Sequence, residues 1–512
     1  MKVSKIYKNT YFDSVSLMSE TAKLKRELPV NELVLLMGSD MNKDMFKDVG
    51  LYDDSMESAT PNDLIMAAKL TDESIKDTWH ETIMERLSDD DEDGDEEKTT
   101  YKTIAQAKKH FDANFVLVSV PGTYAADEAY EALERDMHVM LFSDNVALED
   151  EIALKDLALE KDLLMMGPDC GTAIINGKGL AFANDVKQGN IGLVAASGTG
   201  LQEVSVIIDR FGGGITQAIG VGGRDLSKDV GGRMMLKGID VLADDENTDV
   251  IVLISKPPHP DVEEKILERV KAIDKPVILG LLDAAKSGEK DNVTYATTLS
   301  DAAFKALEKA GIDVDASLAL DDTTQKNIEK AQAEFKDAQT KIKGLFCGGT
   351  LTSETLSILR KEGLKVTSNV AKKDEEKMDD PFKSDGHNLV DLGEDVFTEG
   401  KPHPMIEPTI RLERMIEEAK NEETAVILLD FELGYGSHED PVGITIDTIK
   451  VAKEQAAKDN RKLAFVAYVC GTKTDFQGLE ASEKLLEEEG VILARTNAQA
   501  AKIASELVKG RE

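Results

Sequence analysis

Ser197, Gly198, Thr199 and Gly200 are the residues of this chain best suited to hold an anion. They lie inside NIGLVAASGTGLQE, residues 190–203. Ile191, Leu193, Val194 and Ala195 read as a buried parallel strand. Residues 201–210, LQEVSVIIDR, read as a helix with Val204, Ile207 and Ile208 turned to a core. The turn between them presents backbone N–H groups at the positive end of the helix, and such ends bind phosphate. Glycine matters there because a side chain would block the ligand's approach. The stretch is neither a Walker A loop nor GxGxxG, so an ordinary βα turn is the competing reading. Two cations stand where open α/β sheets bind ligands, at strand ends: Lys256, closing DVIVLISK, and Arg224, in IGVGGRD. Either could offset an anion's charge.

Other reactive side chains offer less. The seven histidines show no HExxH or other ligand spacing, so no metal is expected. His259 lies in KPPHP, His387 and His403 in a polar loop, and His438 after the glycines of GYGSHED. Asp430 ends a strand, as a ligand contact or a helix cap. Cys170, Cys347 and Cys470 are too scattered for a disulfide framework or a CxxC site, which points to a reducing compartment. Cys170 reads as a small buried residue. No His or Asp partner can be placed to activate Cys347 or Cys470.

The elements that must position these groups alternate along the 512 residues. Residues 1–50 read as strand (VSKIYKN), helix (14–28), strand (ELVLLMG) and short helix (42–49). This is a small α+β module of ACT-like or ferredoxin-like size. Thr60-Pro61-Asn62-Asp63 reads as a helix start. DDDEDGDEE, residues 89–97, reads as a solvated linker without the EF-hand ligand pattern. From Asn114 the pattern is doubly wound α/β, with ligands expected at the carboxyl ends of strands. Residues 322–341 read as a polar connecting helix, and 371–410 as a long loop with one short strand near Leu389. The expected architecture is therefore several doubly wound (Rossmann- or flavodoxin-like) parallel-sheet domains behind the α+β module. The boundaries are 1–100 with its acidic linker, 101–187, 188–325 and 341–512.

The 98 acids against 61 bases give a formal charge of −37, which excludes nucleic acid and anionic membrane as natural partners. An anionic ligand then needs a local cationic pocket. The apolar runs are strand-length and the N-terminus has no apolar signal core, so a soluble, cytoplasmic protein is expected.

Four motifs in order, GPDCG (167–171), NIGLVAASGTGLQE, IGVGGRD and DVIVLISK, resemble the α subunit of succinyl-CoA synthetase over about residues 110–310. The C-terminal third resembles the ligase domain of that enzyme's β subunit. Both halves in one chain behind an added module resemble the FdrA family of acyl-CoA-synthetase-like proteins. The resemblance implies a CoA-binding-type domain at 101–187, with Pro121, Gly122, Tyr124 and Pro168 as the residues that would meet CoA. It also implies partner subunits. The departures matter more. The synthetase carries phosphate on a histidine in the loop after its KPVV strand; here KPVILGLLD leads into AAKSGEKDNVTYATT, without histidine. The acid that supports that histidine is replaced by Lys256. A free anion, rather than a phospho-enzyme, is expected. The FdrA resemblance implies the carbamoyltransferase of allantoin and purine nitrogen use, which converts oxalurate and phosphate to oxamate and carbamoyl phosphate. A nucleoside-diphosphate-forming acyl-CoA synthetase and a non-catalytic scaffold remain the alternatives.

Overall fold

The computed structural model describes residues 1–12, 17, 20–21, 24–25, 28–89, 101–282, 288–399 and 401–511. The chain divides into two compact units, residues 1–100 with 395–407, and residues 101–394 with 408–512. The helix expected over 14–28 and the acidic run at 89–97 fall largely outside the described residues.

The first unit holds a three-stranded antiparallel sheet with β3 (Leu64–Leu70) between β1 (Lys2–Tyr7) and β2 (Val30–Met37). The helix start expected at Thr60–Asp63 is a turn instead. The Asp63 carboxylate accepts the Thr60 N–H (2.7 Å) and, from β1's far end, the Asn9 N–H (2.8 Å). The same residue types can cap a helix or close a turn. Here LIMAAKL decides: all but Lys69 are buried, which suits a central strand and not an amphipathic helix.

The second unit carries the three parallel-sheet layers that the alternation predicts. The first sheet joins β4 (Phe115–Val118), β5 (His138–Leu141) and β6 (Met165–Met166) in that order. The second has eight strands in the order β13-β14-β12-β11-β9-β10-β7-β8. Its parallel centre is β14 (Val293–Ala296), β12 (Val277–Leu281), β11 (Val250–Ser255), β9 (Gln188–Ala195) and β10 (Ile215–Gly220). Antiparallel β13 (Gly288–Lys290), β7 (Thr172–Ile175) and β8 (Lys178–Ala181) finish its edges. Thus β7 and β8 join this sheet, although the sequence groups them with 101–187. The third sheet is wholly parallel. Its order is β16 (Val366–Ser368), β17 (His387–Asp391), β15 (Lys341–Phe346), β18 (Thr424–Glu432), β19 (Ala464–Cys470) and β20 (Ile492–Ala494).

The strand near Leu389 is β17, and it is not a strand within a loop: all five of its residues are buried between β16 and β15. Six consecutive buried residues in β11 and nine in β18 explain why these runs are apolar without alternation, because helices cover both faces of a parallel sheet.

The sheet orders place the candidate turn. β9 lies between β10 and β11, so the connections leave it in opposite directions; β15 lies likewise between β17 and β18. A crevice opens at the carboxyl end of such a strand. Ser197 follows β9, and Gly348 follows β15.

Candidate active site

The helix Gly198–Arg210 begins three residues before the expected Leu201, because Ser197 caps it: the Ser197 hydroxyl accepts the Gly200 N–H at 2.9 Å, so Gly198, Thr199 and Gly200 form its first turn. That cap leaves the N–H groups of Gly198 and Thr199 without a partner inside the helix. A second helix start meets the first. The helix Gly349–Lys361 follows β15, and its Thr350 hydroxyl lies 2.5 Å from the Ser197 hydroxyl. The approach is close on both sides. A Cβ on Gly200 would lie 2.6 Å from Ser197 Oγ and 3.1 Å from Thr350 Cγ2, and one on Gly348 would lie 3.1 Å from Thr199 Cγ2. Two positive helix ends thus converge from two sheets.

Thr172, at the start of β7, completes this corner. It is 1% exposed, and its hydroxyl has no hydrogen-bond partner among the described residues. A Cβ on Gly198 would lie 3.3 Å from that hydroxyl. A buried hydroxyl without a partner is costly unless a ligand uses it. Beside it, the turn offers the free N–H groups an anion needs.

Around the second helix start the charges are mostly negative. The Asp430 carboxylate, on β18, accepts the N–H groups of Cys347 (2.9 Å) and Gly348 (3.0 Å) and so holds the turn. Buried Arg411 bonds the Asp430 carbonyl (2.6 Å) and reaches Cys347 Sγ (3.1 Å). Cys347, Asp430 and Glu432 bring ligand-type atoms within 4.8 Å of one another. Arg411 supplies the positive charge among them. Burial, and then the charge of Asp430, pushes the Glu432 carboxyl well up. Burial likewise raises the thiols of Cys347 and Cys470, and pushes Cys170 up to about 12; none is a ready nucleophile.

Asp391 ends β17 and is 4% exposed. Its Oδ1 accepts the Gly393 N–H (2.9 Å), and a Cβ on Gly349 would lie 2.5 Å from its Oδ2. Lys256 faces Asp391 electrostatically, and Lys372 in turn faces Lys256. Lys256 follows β11, the neighbour of β9 in the sheet. Arg224 is engaged elsewhere: its Nε lies 2.9 Å from Glu151, and its Nη2 donates to the Val146 carbonyl at 2.8 Å. Glu151 also pairs with fully buried Lys155, which bonds Asp225. Of the two cations chosen from sequence, Arg224 is thus the one paired with a buried carboxylate.

Behind the turns two carboxylates cross between sheets. Glu203, in the first helix, accepts the Asn497 N–H (3.2 Å) at the start of the helix Asn497–Val508. Glu354, in the second, accepts the Leu299 N–H (2.6 Å) at the start of the helix Leu299–Lys309. Each helix thus caps the last helix of the other sheet. Burial, then the charge of Glu354, pushes Glu203 up to about 8.

The residues chosen for CoA lie at the carboxyl ends of β4 and β6. Pro121 and Gly122 open the helix Gly122–Glu134, which has no side-chain cap, and Tyr124 is exposed. Pro168 follows a cis peptide bond and adjoins Gly222, whose added Cβ would strike the Pro168 carbonyl. The histidines serve the backbone. His259 accepts from Asp261 N (3.3 Å), His438 from Asp440 N (2.9 Å), His403 from Met405 N (3.2 Å), and His387, inside β17, from Ile342 N (3.1 Å). Thr350, Thr172 and Asp391 escaped the sequence reading. A signal for the first existed: SGTGLQE (197–203) and GGTLTSE (348–354) share Gly-Thr at their second and third positions and Glu at their seventh.

This pair of strand–turn–helix units has counterparts among known proteins. Over 508 residues the chain is 46% identical to the uncharacterized protein YahF of Escherichia coli (strain K12), covering 98% of each. The chain belongs to the YahF family. A CoA binding domain model matches residues 186–279, a CoA-ligase model residues 345–507, and the AllF heavy metal-associated domain residues 1–103. The last segment contains no cysteine. The α subunit of the ADP-forming succinate–CoA ligase of Aquifex aeolicus is 29% identical over 225 residues, 41% of this chain and 72% of that one. The apo dinucleotide-forming acetyl-coenzyme A synthetase 1 of Ca. Korarchaeum cryptofilum is 15% identical, covering 81% of this chain and 86% of that one at a TM-score of 0.31. Residues 186–279 and 345–507 are thus similar to the CoA-binding and CoA-ligase parts of such enzymes. Among the described residues no helix is long and apolar enough to cross a membrane.

Proposed function

We propose that this chain is a subunit of an FdrA-type carbamoyltransferase, which converts oxalurate and phosphate to oxamate and carbamoyl phosphate. The observation that carries the reading is the Thr172 hydroxyl, buried against Gly198 without a partner among the described residues, at the meeting of two helix starts. Phosphate held there by the N–H groups of Gly198 and Thr199 and by Thr172 would be a free nucleophile. Its approach to the carbamoyl carbon builds negative charge, and fixed dipoles with Lys256 stabilise that charge without reorganisation. Arg224 acts as scaffold in this reading, through buried Glu151. Ser197 and Gly200 shape the turn. Pro121, Gly122, Tyr124 and Pro168 remain the place for CoA, should the complex use it. The absence of histidine from residues 283–297 speaks against a phosphoryl carrier. The reaction belongs to the cytoplasm, with other subunits completing the enzyme.

The test is reconstitution of the chain with its natural partner subunits, oxalurate and phosphate, with carbamoyl phosphate read through carbamate kinase as ATP. A complex that yields no carbamoyl phosphate but forms an acyl-CoA from a carboxylate, CoA and nucleotide establishes the second reading. The matches to CoA-binding and CoA-ligase models favour that alternative.

A further inference from the structure

Phosphate needs no base to attack, but the group it displaces is poor. Oxamate leaves from the carbamoyl carbon through an amide nitrogen, and an amide anion is too basic to depart from a buried site without a proton. A CoA thiolate or a phosphate leaves unaided. Amide chemistry therefore requires a proton donor that acyl-CoA chemistry does not. We infer that the Asp391 carboxyl gives that proton, acting as the general acid on the leaving amide nitrogen in phosphorolysis and as the general base on oxamate in the reverse direction.

Placement comes first. Asp391 ends β17, directly beside β15, and its Oδ2 is turned to Gly349, the first residue of the helix whose Thr350 touches Ser197. Its backbone is clamped by Asn369, which accepts the Asp391 N–H (2.9 Å) and donates to the Asp391 carbonyl (2.8 Å). One oxygen is thereby fixed on Gly393 and the other is aimed at the helix start. The charges facing Asp391 come from three elements: Asp430 on β18, Glu394 in its own loop, and Lys256 after β11. Burial, reinforced by the two acids and opposed by Lys256, pushes Asp391 up to about 7. A group poised there can both give and take a proton near neutrality.

The step balances. A phosphate oxygen of HPO4²⁻ forms a bond to the carbamoyl carbon, and the C–N bond to oxamate breaks with its electron pair on nitrogen. The Asp391 proton moves to that nitrogen, and the proton of the attacking phosphate restores Asp391. No other reactant is needed.

This inference rests on the carbamoyltransferase reading, and the experiment separates the two. The full complex is assayed with oxalurate and phosphate from pH 5.5 to 9, as wild type and as Asp391→Asn. The wild-type rate should fall above about pH 7, where Asp391 loses its proton. Asp391→Asn should lose on the order of 10²- to 10⁴-fold in kcat, and its residual rate should lack that alkaline limb. Phosphate should still raise its melting temperature as in the wild type, which shows a folded protein with its anion corner intact. Asp391→Glu should recover part of the rate. An Asn variant within a few-fold of wild type, or a wild-type profile flat from pH 6 to 9, overturns the role of Asp391 and leaves the carbamoyltransferase standing. A wild-type complex inert on oxalurate removes both.

Discussion

Gly198→Ala separates anion binding from folding, because the structure leaves room at this glycine for a side chain but not for a side chain and a ligand together. A Cβ there meets Thr172 Oγ1 at 3.3 Å, with the Gly171 backbone next at 3.7 Å, so the neighbours need to yield by a few tenths of an ångström. No left-handed backbone is required of Gly198. Replacing glycine by alanine in such a place gains about 0.4–1 kcal/mol through the unfolded chain. The added methyl stands in front of the Thr172 hydroxyl, where the anion is proposed to bind. Wild-type protein at phosphate 100-fold above Kd gains about 2.7 kcal/mol by mass action. Alanine should forfeit most of that gain while matching or exceeding the wild type without phosphate. Gly198→Val should abolish it, together with carbamoyl phosphate formation. Gly200→Ala is the contrast: its Cβ would lie 2.6 Å from Ser197 Oγ, so it should lower stability by about 1–3 kcal/mol even without ligand. The assay is thermal unfolding of all four proteins over a phosphate titration at constant ionic strength. A Gly198→Ala protein that keeps the whole phosphate shift would refute the placement of the anion.

Lys256→Ala should diminish the phosphate shift, whereas Arg224→Ala should lower the melting temperature and leave the shift in place, since it strips a partner from buried Glu151; equal shifts in both variants would remove Lys256 from the site. Glu203 has its carboxyl raised from 4.5 to about 8 in the fold. Its protonation supports the native state fully below its unfolded pKa, and that support is lost as pH rises through about 8. Glu203→Gln should therefore flatten the decline of melting temperature from pH 5 to 9 and stabilise the protein at the alkaline end; an unchanged slope would show that Glu203 does not carry it. Incubation with labelled ATP, or with succinyl-CoA and labelled phosphate, should leave no acid-labile label on the chain, and recovery of such a label would restore the synthetase reading.

What could be read from the sequence was local. The strand and helix around 197–200 were legible because they are contiguous, although Gly198, Thr199 and Gly200 open the helix instead of forming a separate turn. The apolar runs of β11 and β18 announced buried parallel strands for the same reason. Lys256 was legible as a strand end, because β11 is the immediate neighbour of β9. Thr172, Thr350 and Asp391 were not, since each reaches the corner from a segment distant in sequence: Thr172 on β7, Asp391 on β17, and Thr350 in the helix that follows β15. Only the strand order says that β17 and β18 flank β15, or that β7 folds back beside β10. The pairing of Arg224 with Glu151 was not legible, because a strand-end position fixes where a side chain starts and not which acid it meets. The turn at Thr60–Asp63 failed because its residues suit two geometries, and only pairing on both edges of β3 chose between them.

The crossing of Glu203 and Glu354 also governs how the chain tolerates being cut. Residues 312–320 run between the helix Leu299–Lys309 and the helix Asp322–Glu334, and the second of these bonds onward to the C-terminal helix, through Gln332 to the Glu506 carbonyl (2.7 Å). Everything before that segment in the second unit carries Glu203 and Leu299; everything after carries Glu354 and Asn497. Each fragment would thus leave one buried carboxylate and one helix start waiting for the other. The connecting segment acts as a tether that sets the local concentration of two complementary partners. Separated there and co-expressed, the fragments should behave as a heterodimer, and neither should persist alone.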